Sequence, residues 1–431
     1  MLRNKLVLIV PLMVIAYVSC ANDTLKEKLK SLPNVVEVNK INIDTTFNSQ
    51  YELFFNQPID HKNPELGSFK QRVVLNHLSD TLPMVAVLEG YGIWSGYASE
   101  PAKILQSNQI RIEHRFFNDS RPDSIPWSKL TIWQAATDQH EIIQALKNIY
   151  KANWLTTGIS KGGQTTMYHR SFYPNDVKAS IPYVAPLNFA REDKRIYNFL
   201  DSVGTKEQRE AIYNFQLRCF KHENELEELL KKRAEKQKWE FKFGIEKAIQ
   251  YTILEYPFAY WQWGGTSISN IPYDTASVVD IFVHLHGVAD FTFFEENSID
   301  KYRPFFWAAL TQIGMYGYRT QPFKEYLGDT TDYTFDFAAP EGIRTYFDTI
   351  AMQKVKYFLD NEASNMLFII GGLDTWGATS YIPSGKNNLI RKVLIDGHHG
   401  TRINDFPPAE KQFMYNLLGE WMGVNVKIEA E

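Results

Sequence analysis

The sequence predicts an α/β protein: a mostly parallel β-sheet covered by helices, interrupted by a large, mainly helical insertion. Three observations predict it. Short, near-continuous apolar runs alternate with stretches of helical periodicity, as strands buried on both faces and their crossover helices require. That alternation lapses over 191–341, where Lys, Glu, Tyr and Trp dominate. A Gly-x-Ser-x-Gly pentapeptide also lies between a predicted strand and the helix-compatible stretch after it.

The chain begins with Arg3 and Lys5 ahead of an apolar run from Leu6 to Val18, which reads as an export signal over 1–20 and is too short to span a membrane. The run ends at Val18-Ser19-Cys20, which resembles a lipoprotein signal with Cys20 as the lipidated residue; an ordinary cleaved signal is the alternative, and Tyr17 departs from the lipoprotein pattern. Residues 21–40 read as a polar, partly helical leader. Alternation predicts strands from Tyr51 and from Phe69 to Leu75, with a turn at Lys62-Asn63-Pro64 between them. Met84 to Leu88 and Gln109 to Arg115 read as strands, and Thr131 to Gln134 as a capping box opening a helix. Trp154 to Thr157 and Ala179 to Ala185 are strands flanking the serine motif and its helix. Lys221 to Lys242 is a solvated helix, with Leu226, Leu229 and Leu230 on one side. The sheet pattern resumes at Met366 to Ile370 and Ile390 to Ile395, and an amphipathic helix runs from Pro408 to Trp421.

Composition narrows the function. A net charge of −4 with no Lys/Arg stripe gives no case for nucleic acid. Aromatic residues make up 14% of the chain, enough for a large core or an aromatic-lined cleft. Two cysteines, Cys20 and Cys219, exclude a disulfide framework or a Cys-based zinc site, and Cys219 is expected as a buried free thiol. His284, His286 and Asp290 lack further ligands at metal-binding spacing, so no metal is expected there. Asp60-His61 reads as a structural turn. No phosphate-binding glycine motif follows a strand. No feature indicates an oligomeric state.

Gly158-Ile159-Ser160-Lys161-Gly162 fits a nucleophile elbow, in which strand passes to helix in one tight turn and the serine is presented at the helix N-terminus. The Lys161 N–H then points where an oxyanion would form. A serine nucleophile needs a base and an orienting acid, in the chain order Ser, Asp or Glu, His for this elbow. Asp374 follows the strand Met366 to Ile370 in a glycine-rich loop, and Asp396-Gly397-His398-His399 follows the next strand. Asp374 is the acid, because Asp396 is too near in sequence to orient its own neighbours; either His398 or His399 is the base.

Several blocks together resemble the PS-10 family of bacterial secreted serine peptidases and, more distantly, the prolyl carboxypeptidase and dipeptidyl peptidase II family. They are Phe55 to His61, Phe69 to Arg72, Leu88-Glu89-Gly90-Tyr91-Gly92, Glu113 to Phe117, the Ser160-Lys161-Gly162-Gly163 elbow, Gly372 to Trp376, and His398-His399. The resemblance implies an α/β-hydrolase fold, with core residues 40–190 and 342–431 and a helical cap over 191–341. It implies a Ser-Asp-His peptidase acting on chain ends, often near proline. Carried over by position, Ser160 is the nucleophile, Asp374 the acid and His399, favoured over His398, the base. The Lys161 N–H and one from the Gly90-Tyr91 loop, assigned to Tyr91, form the oxyanion hole. No metal or organic cofactor is called for.

The resulting reading is an exported serine exopeptidase, an aminopeptidase releasing short N-terminal peptides from a peptide substrate. Its contact with a membrane is through the N-terminal anchor alone. An esterase or lipase on the same fold, or a non-catalytic peptide-binding lipoprotein, are the rival readings. A free substrate amine needs an anionic partner. Glu89, at the end of a strand beside the elbow, is the first candidate, unless Arg115 already pairs with it; Glu255 is the second. In the aromatic run Tyr256 to Trp263, Trp261 and Trp263 are expected either to line the cleft or to pack the cap.

Overall fold

The computed structural model describes residues 24–265, 267–328 and 333–426. The export signal and Cys20 lie outside the described residues. A helix over 24–30, α1, precedes β1 (Val35–Ile41), β2 (Ser49–Pro58), β3 (Ser68–His77) and β4 (Met84–Leu88). Then come α2 (Glu100–Leu105), β5 (Asn108–Ile112), α3 (Ile132–Leu146), β6 (Trp154–Ile159), α4 (Lys161–Phe172) and β7 (Ala179–Tyr183). Between β7 and the next strand the chain is helical: α5 (Arg195–Leu200), α6 (Lys206–Lys221), α7 (Glu223–Gln237), α8 (Ile245–Gln262), α9 (Val278–Ala289), α10 (Glu296–Ala308), α11 (Lys324–Leu327) and α12 (Ala351–Asn361). The sheet is completed by β8 (Met366–Gly371) and β9 (Leu389–Leu394), and α13 (Pro408–Met422) follows.

The nine strands form one sheet in the order β1-β2-β3-β5-β4-β6-β7-β8-β9. β1, β2, β3 and β5 pair antiparallel in sequence; from β5 through β9 every pairing is parallel. This is the α/β-hydrolase fold. The apolar runs are continuous because both faces are covered. Met84, Ala86 and Leu88 pack with Ile142 and Ile143 of α3, whereas Val85 and Val87 pack with Leu105 of α2 and Leu418 of α13. Likewise Met366 and Phe368 face α12 while Leu367 and Ile369 face α13, the period-2 alternation of a strand.

The helices after β7 have a core of their own, in which Phe215, Ile249, Tyr256, Leu285 and Phe291 are buried together with Cys219. α10 and the segment to Tyr316 instead pack with α3, α4 and α12. Pro257 lies inside α8 and cannot donate to the Ile253 carbonyl; Gln216 of α6 supplies that donor at 2.8 Å. The Thr131 side chain caps α3, accepting from the Gln134 N–H, but the reciprocal half of the expected capping box is missing. Gln134 donates to Asp60 at 2.6 Å instead, tying the Asp60-His61 turn to the core. No described helix is long and apolar enough to cross a membrane.

Candidate active site

A parallel sheet sends the C-terminal ends of its strands to one edge, so the loops that follow them converge there. Glu89 follows β4, Ser160 follows β6, Asp374 lies just beyond β8 and His399 just beyond β9. The turn at Ser160 is strained: its φ is 57° and ψ −122°, a region that costs an ordinary residue roughly 1–3 kcal/mol. Two glycines make room for it. A Cβ on Gly158 would meet the Gly162 carbonyl oxygen, and one on Gly163 would lie 2.6 Å from the Ala185 Cβ. The turn is pinned by Ser160 N–H donating to the Tyr183 carbonyl at 2.9 Å, and by Gln164 N–H donating to the Ser160 carbonyl at 3.0 Å.

His399 Nδ1 and Asp374 Oδ2 are 2.8 Å apart, and both side chains are buried. The other carboxylate oxygen of Asp374 accepts the Trp376 N–H at 3.1 Å. His398 is exposed, its Nδ1 accepting the Gly400 N–H at 3.0 Å. Of the two histidines it is therefore His399 that meets Asp374. Among the described residues no hydrogen bond joins the Ser160 hydroxyl to His399; in unliganded sites such contacts are often long and tighten with substrate. α8 holds both loops: His399 N–H donates to the Gln262 carbonyl at 3.0 Å, and the Thr375 hydroxyl to the Phe258 carbonyl at 3.0 Å.

Ser160 and His399 line a cavity of about 690 Å³ between the sheet edge and the helical insertion. Its walls include Glu89, Tyr91, Glu255, Trp263, Tyr302 and Phe305. The Gly90-Tyr91 loop lies directly on the elbow, since a Cβ on Gly90 would stand 2.6 Å from the Gly162 nitrogen. The Tyr91 N–H has no protein acceptor among the described residues.

Three carboxylates line the cavity; Asp290 is exposed, and the other two, Glu89 and Glu255, differ. Glu89 pairs at 2.7 Å with Arg111 rather than with Arg115. Register explains this: Arg111 stands beside Val87, and Glu89 is two residues farther along the same face. Arg115 lies beyond the end of β5 and is buried against Asp138. Glu255 accepts hydrogen bonds from the hydroxyls of Tyr316, at 2.9 Å to each oxygen, and Tyr318, at 2.7 Å. It forms no ion pair with any described residue, and burial pushes its pKa up to about 8, opposed by the two phenols. Of Glu89 and Glu255, it is thus Glu255 that lacks a cation. The Tyr316-Gly317-Tyr318 spacing, which puts two phenols on one side of an extended segment, is the sequence signal that could have marked it.

Trp263 lines the cavity, is 63% exposed and meets the His399 ring edge-on at 5.6 Å. Trp261 does not line it. Only 1% exposed, it packs in the insertion's core against Tyr260 and over Gly204, because at that position on α8 the side chain points away from the sheet edge. His284 and His286 are held by Tyr256 and Arg233, and no group of residues able to hold a metal occurs among those described.

Comparison with known proteins agrees with the motif blocks. The family model of PS-10 peptidase S37 matches residues 19–430. A prolyl tri/tetrapeptidyl aminopeptidase of Streptomyces mobaraensis is 32% identical over 382 residues, covering 86% of this chain and 79% of that protein. Similar solved structures include acetyl xylan esterase 1 from a Thermoanaerobacterium species, with TM-score 0.39, 11% identity, and 92% of this chain and 93% of that one covered. They also include proline iminopeptidase from Mycobacterium smegmatis, with TM-score 0.37, 13% identity, and 85% and 98% covered. The chain belongs to the PS-10 peptidase S37 family and is a serine-type peptidase.

Proposed function

We propose that this enzyme is an aminopeptidase that releases short N-terminal peptides, with a preference for proline at the cleaved bond, through Ser160, His399 and Asp374. The observation that carries the reading is the buried His399–Asp374 hydrogen bond beside the strained elbow, on the floor of a cavity whose Glu255 has no cation. Ser160 Oγ attacks the scissile carbonyl as His399 Nε2 takes its proton. Asp374 accepts from Nδ1, fixing the tautomer and stabilising the imidazolium. The oxyanion is held by the N–H groups of Lys161 and Tyr91. His399 then protonates the leaving amine, and water repeats the cycle on the acyl-enzyme.

Glu255 receives the substrate's terminal ammonium, ionising as it does so. Glu89, already paired with Arg111, borders the same space. Trp263, against the ring that protonates the leaving amine, flanks the departing chain. The release of tri- and tetrapeptides named for the Streptomyces relative supports the choice of substrate. Export to the cell envelope rests on the basic start, the apolar run and Val18-Ser19-Cys20, with lipidation at Cys20.

The test is labelling by a fluorophosphonate, followed by digestion of a peptide library with free or acetylated N-termini. Labelling confined to Ser160 and release of short fragments from free N-termini only are expected. Equal cleavage of acetylated peptides would replace the aminopeptidase with an endopeptidase or carboxypeptidase. Ester hydrolysis with no peptide cleavage would favour the esterase.

A further inference from the structure

The side chain of Lys161 has no part in the reaction as described, yet it occupies the least hospitable place in the core. It is 3% exposed, and among the described residues it forms no ion pair. Its ammonium lies 5.6 Å from the centroid of the Tyr91 ring and 5.5 Å from that of Phe117. Among the described residues its one hydrogen bond is to the Gly90 carbonyl, at 2.6 Å. A buried ammonium held by a single carbonyl and two ring faces is expensive, and burial alone pulls its pKa down to about 7. Stability does not account for such a group, because an apolar residue of similar length would fill the space without the desolvation cost.

The place of the acceptor gives the reason. Gly90 and Tyr91 share one peptide unit, and no peptide bond among the described residues is cis. In a trans peptide the C=O and the N–H point in opposite directions. With the Gly90 carbonyl turned to the Lys161 ammonium, the Tyr91 N–H is turned away from it, and that N–H has no acceptor among the described residues. The Gly90 loop lies directly on the elbow, so the direction of this peptide decides what its N–H presents to Ser160. A cation on the carbonyl oxygen also polarises the peptide, making its N–H a better donor.

We propose that the Lys161 side chain is a positioning residue for the oxyanion hole: by holding the Gly90 carbonyl it fixes the Gly90-Tyr91 peptide so that the Tyr91 N–H faces the oxyanion formed on Ser160 attack. One residue thus serves both halves of the hole, its own backbone N–H as one donor and its side chain as the support of the other. The inference rests on the assignment of Ser160 as nucleophile.

The test is Lys161→Met, assayed with a free-amine peptide, a product peptide and a peptide aldehyde whose hemiacetal with Ser160 carries an oxyanion. A lost donor in such a hole lowers kcat about 10²–10³-fold. We expect a loss of that order with KM within about twofold, a matching loss of aldehyde affinity, and unchanged product affinity. Lys161→Gln, which keeps an N–H donor on a shorter stem, should recover part of the rate, and it carries the test if the Met variant does not fold. The inference is overturned if kcat is unchanged, or if aldehyde and product affinities weaken in step, which is the signature of general disorder in the cavity. Fluorophosphonate labelling of the wild type separates the two assignments. No label on Ser160 defeats the nucleophile assignment, whereas a labelled Ser160 with a fully active Lys161→Met defeats this inference alone.

Discussion

Glu255→Gln removes a carboxyl whose ionisation the fold opposes. The carboxyl would titrate near 4.5 in the unfolded chain, and in the cavity burial lifts it to about 8. A tenfold change in proton affinity is worth about 1.36 kcal/mol, so this rise corresponds to roughly 5 kcal/mol. The folded state binds the proton more tightly than the unfolded state. Stability on this account is complete below pH 4.5 and is lost as the pH rises to about 8, where the buried carboxylate ionises. Glutamine does not titrate, and its amide oxygen can still accept from Tyr316 and Tyr318. The variant should therefore resemble the wild type in denaturant unfolding at acid pH and be more stable, by several kcal/mol, above pH 8. Activity should move the other way. Binding of a terminal ammonium needs an ionised carboxylate, so wild-type kcat/KM for free-amine peptides should fall nearly tenfold per pH unit below the carboxyl's pKa. The ratio of wild-type to variant kcat/KM on one peptide cancels the ionisations the two share and isolates this limb. Losing a hydrogen bond between charged groups is worth about 1.5–3 kcal/mol, so the variant should be roughly 10–100-fold poorer on free-amine peptides near pH 8, narrowing the preference for a free N-terminus. A stability gap that stays constant with pH, together with an unaltered preference for free N-termini, would refute both the burial argument and the role of Glu255.

Ser160→Ala should fold normally and lose turnover by several orders of magnitude, measured as residual peptide cleavage after exclusion of contaminating peptidase. Asp374→Asn should keep the geometry yet lower kcat by about 10⁴, since the amide favours the wrong imidazole tautomer. His399→Ala should be comparably impaired and the exposed His398→Ala nearly normal; the reverse result would exchange their roles. Trp261→Ala empties the insertion's core and should cost about 3–5 kcal/mol in unfolding with little change in side-chain preference. Trp263→Ala, on the cavity wall, should alter preference on the leaving side with little change in stability, and a shared phenotype would show that the two rings act alike.

Much of the molecule was legible in its sequence, for physical reasons that are local. Continuous apolar runs such as Met84 to Leu88 announce strands covered on both faces, and the glycines around Ser160 announce a turn that tolerates no side chain. Parallel strands then require the loops after them to meet at one edge, so order along the chain alone brings Asp374 and the His398-His399 pair to the edge that carries Ser160. β5 ends at Ile112 rather than Arg115, and the capping box at Thr131 is only half formed, because tertiary partners decide both. Gln134 bonds Asp60 rather than its own helix start, and the chain beyond Ile112 turns down to bury Arg115 against Asp138.

The choices between chemically equal residues lay outside the sequence. His398 and His399 are neighbours of one type, and only the fold turns one ring to Asp374 and the other to solvent. Trp261 and Trp263 lie two residues apart at the end of α8, and the helix twist sends one into the insertion's core and the other to the cavity. Glu89 and Glu255 are both acids near apolar runs, but strand register gives Glu89 an arginine, while packing gives Glu255 only phenols. The sequence determines which groups are present and which edge of the sheet they reach. Their directions and partners, and hence their charges, follow from tertiary contacts, because those depend on residues brought near from far along the chain.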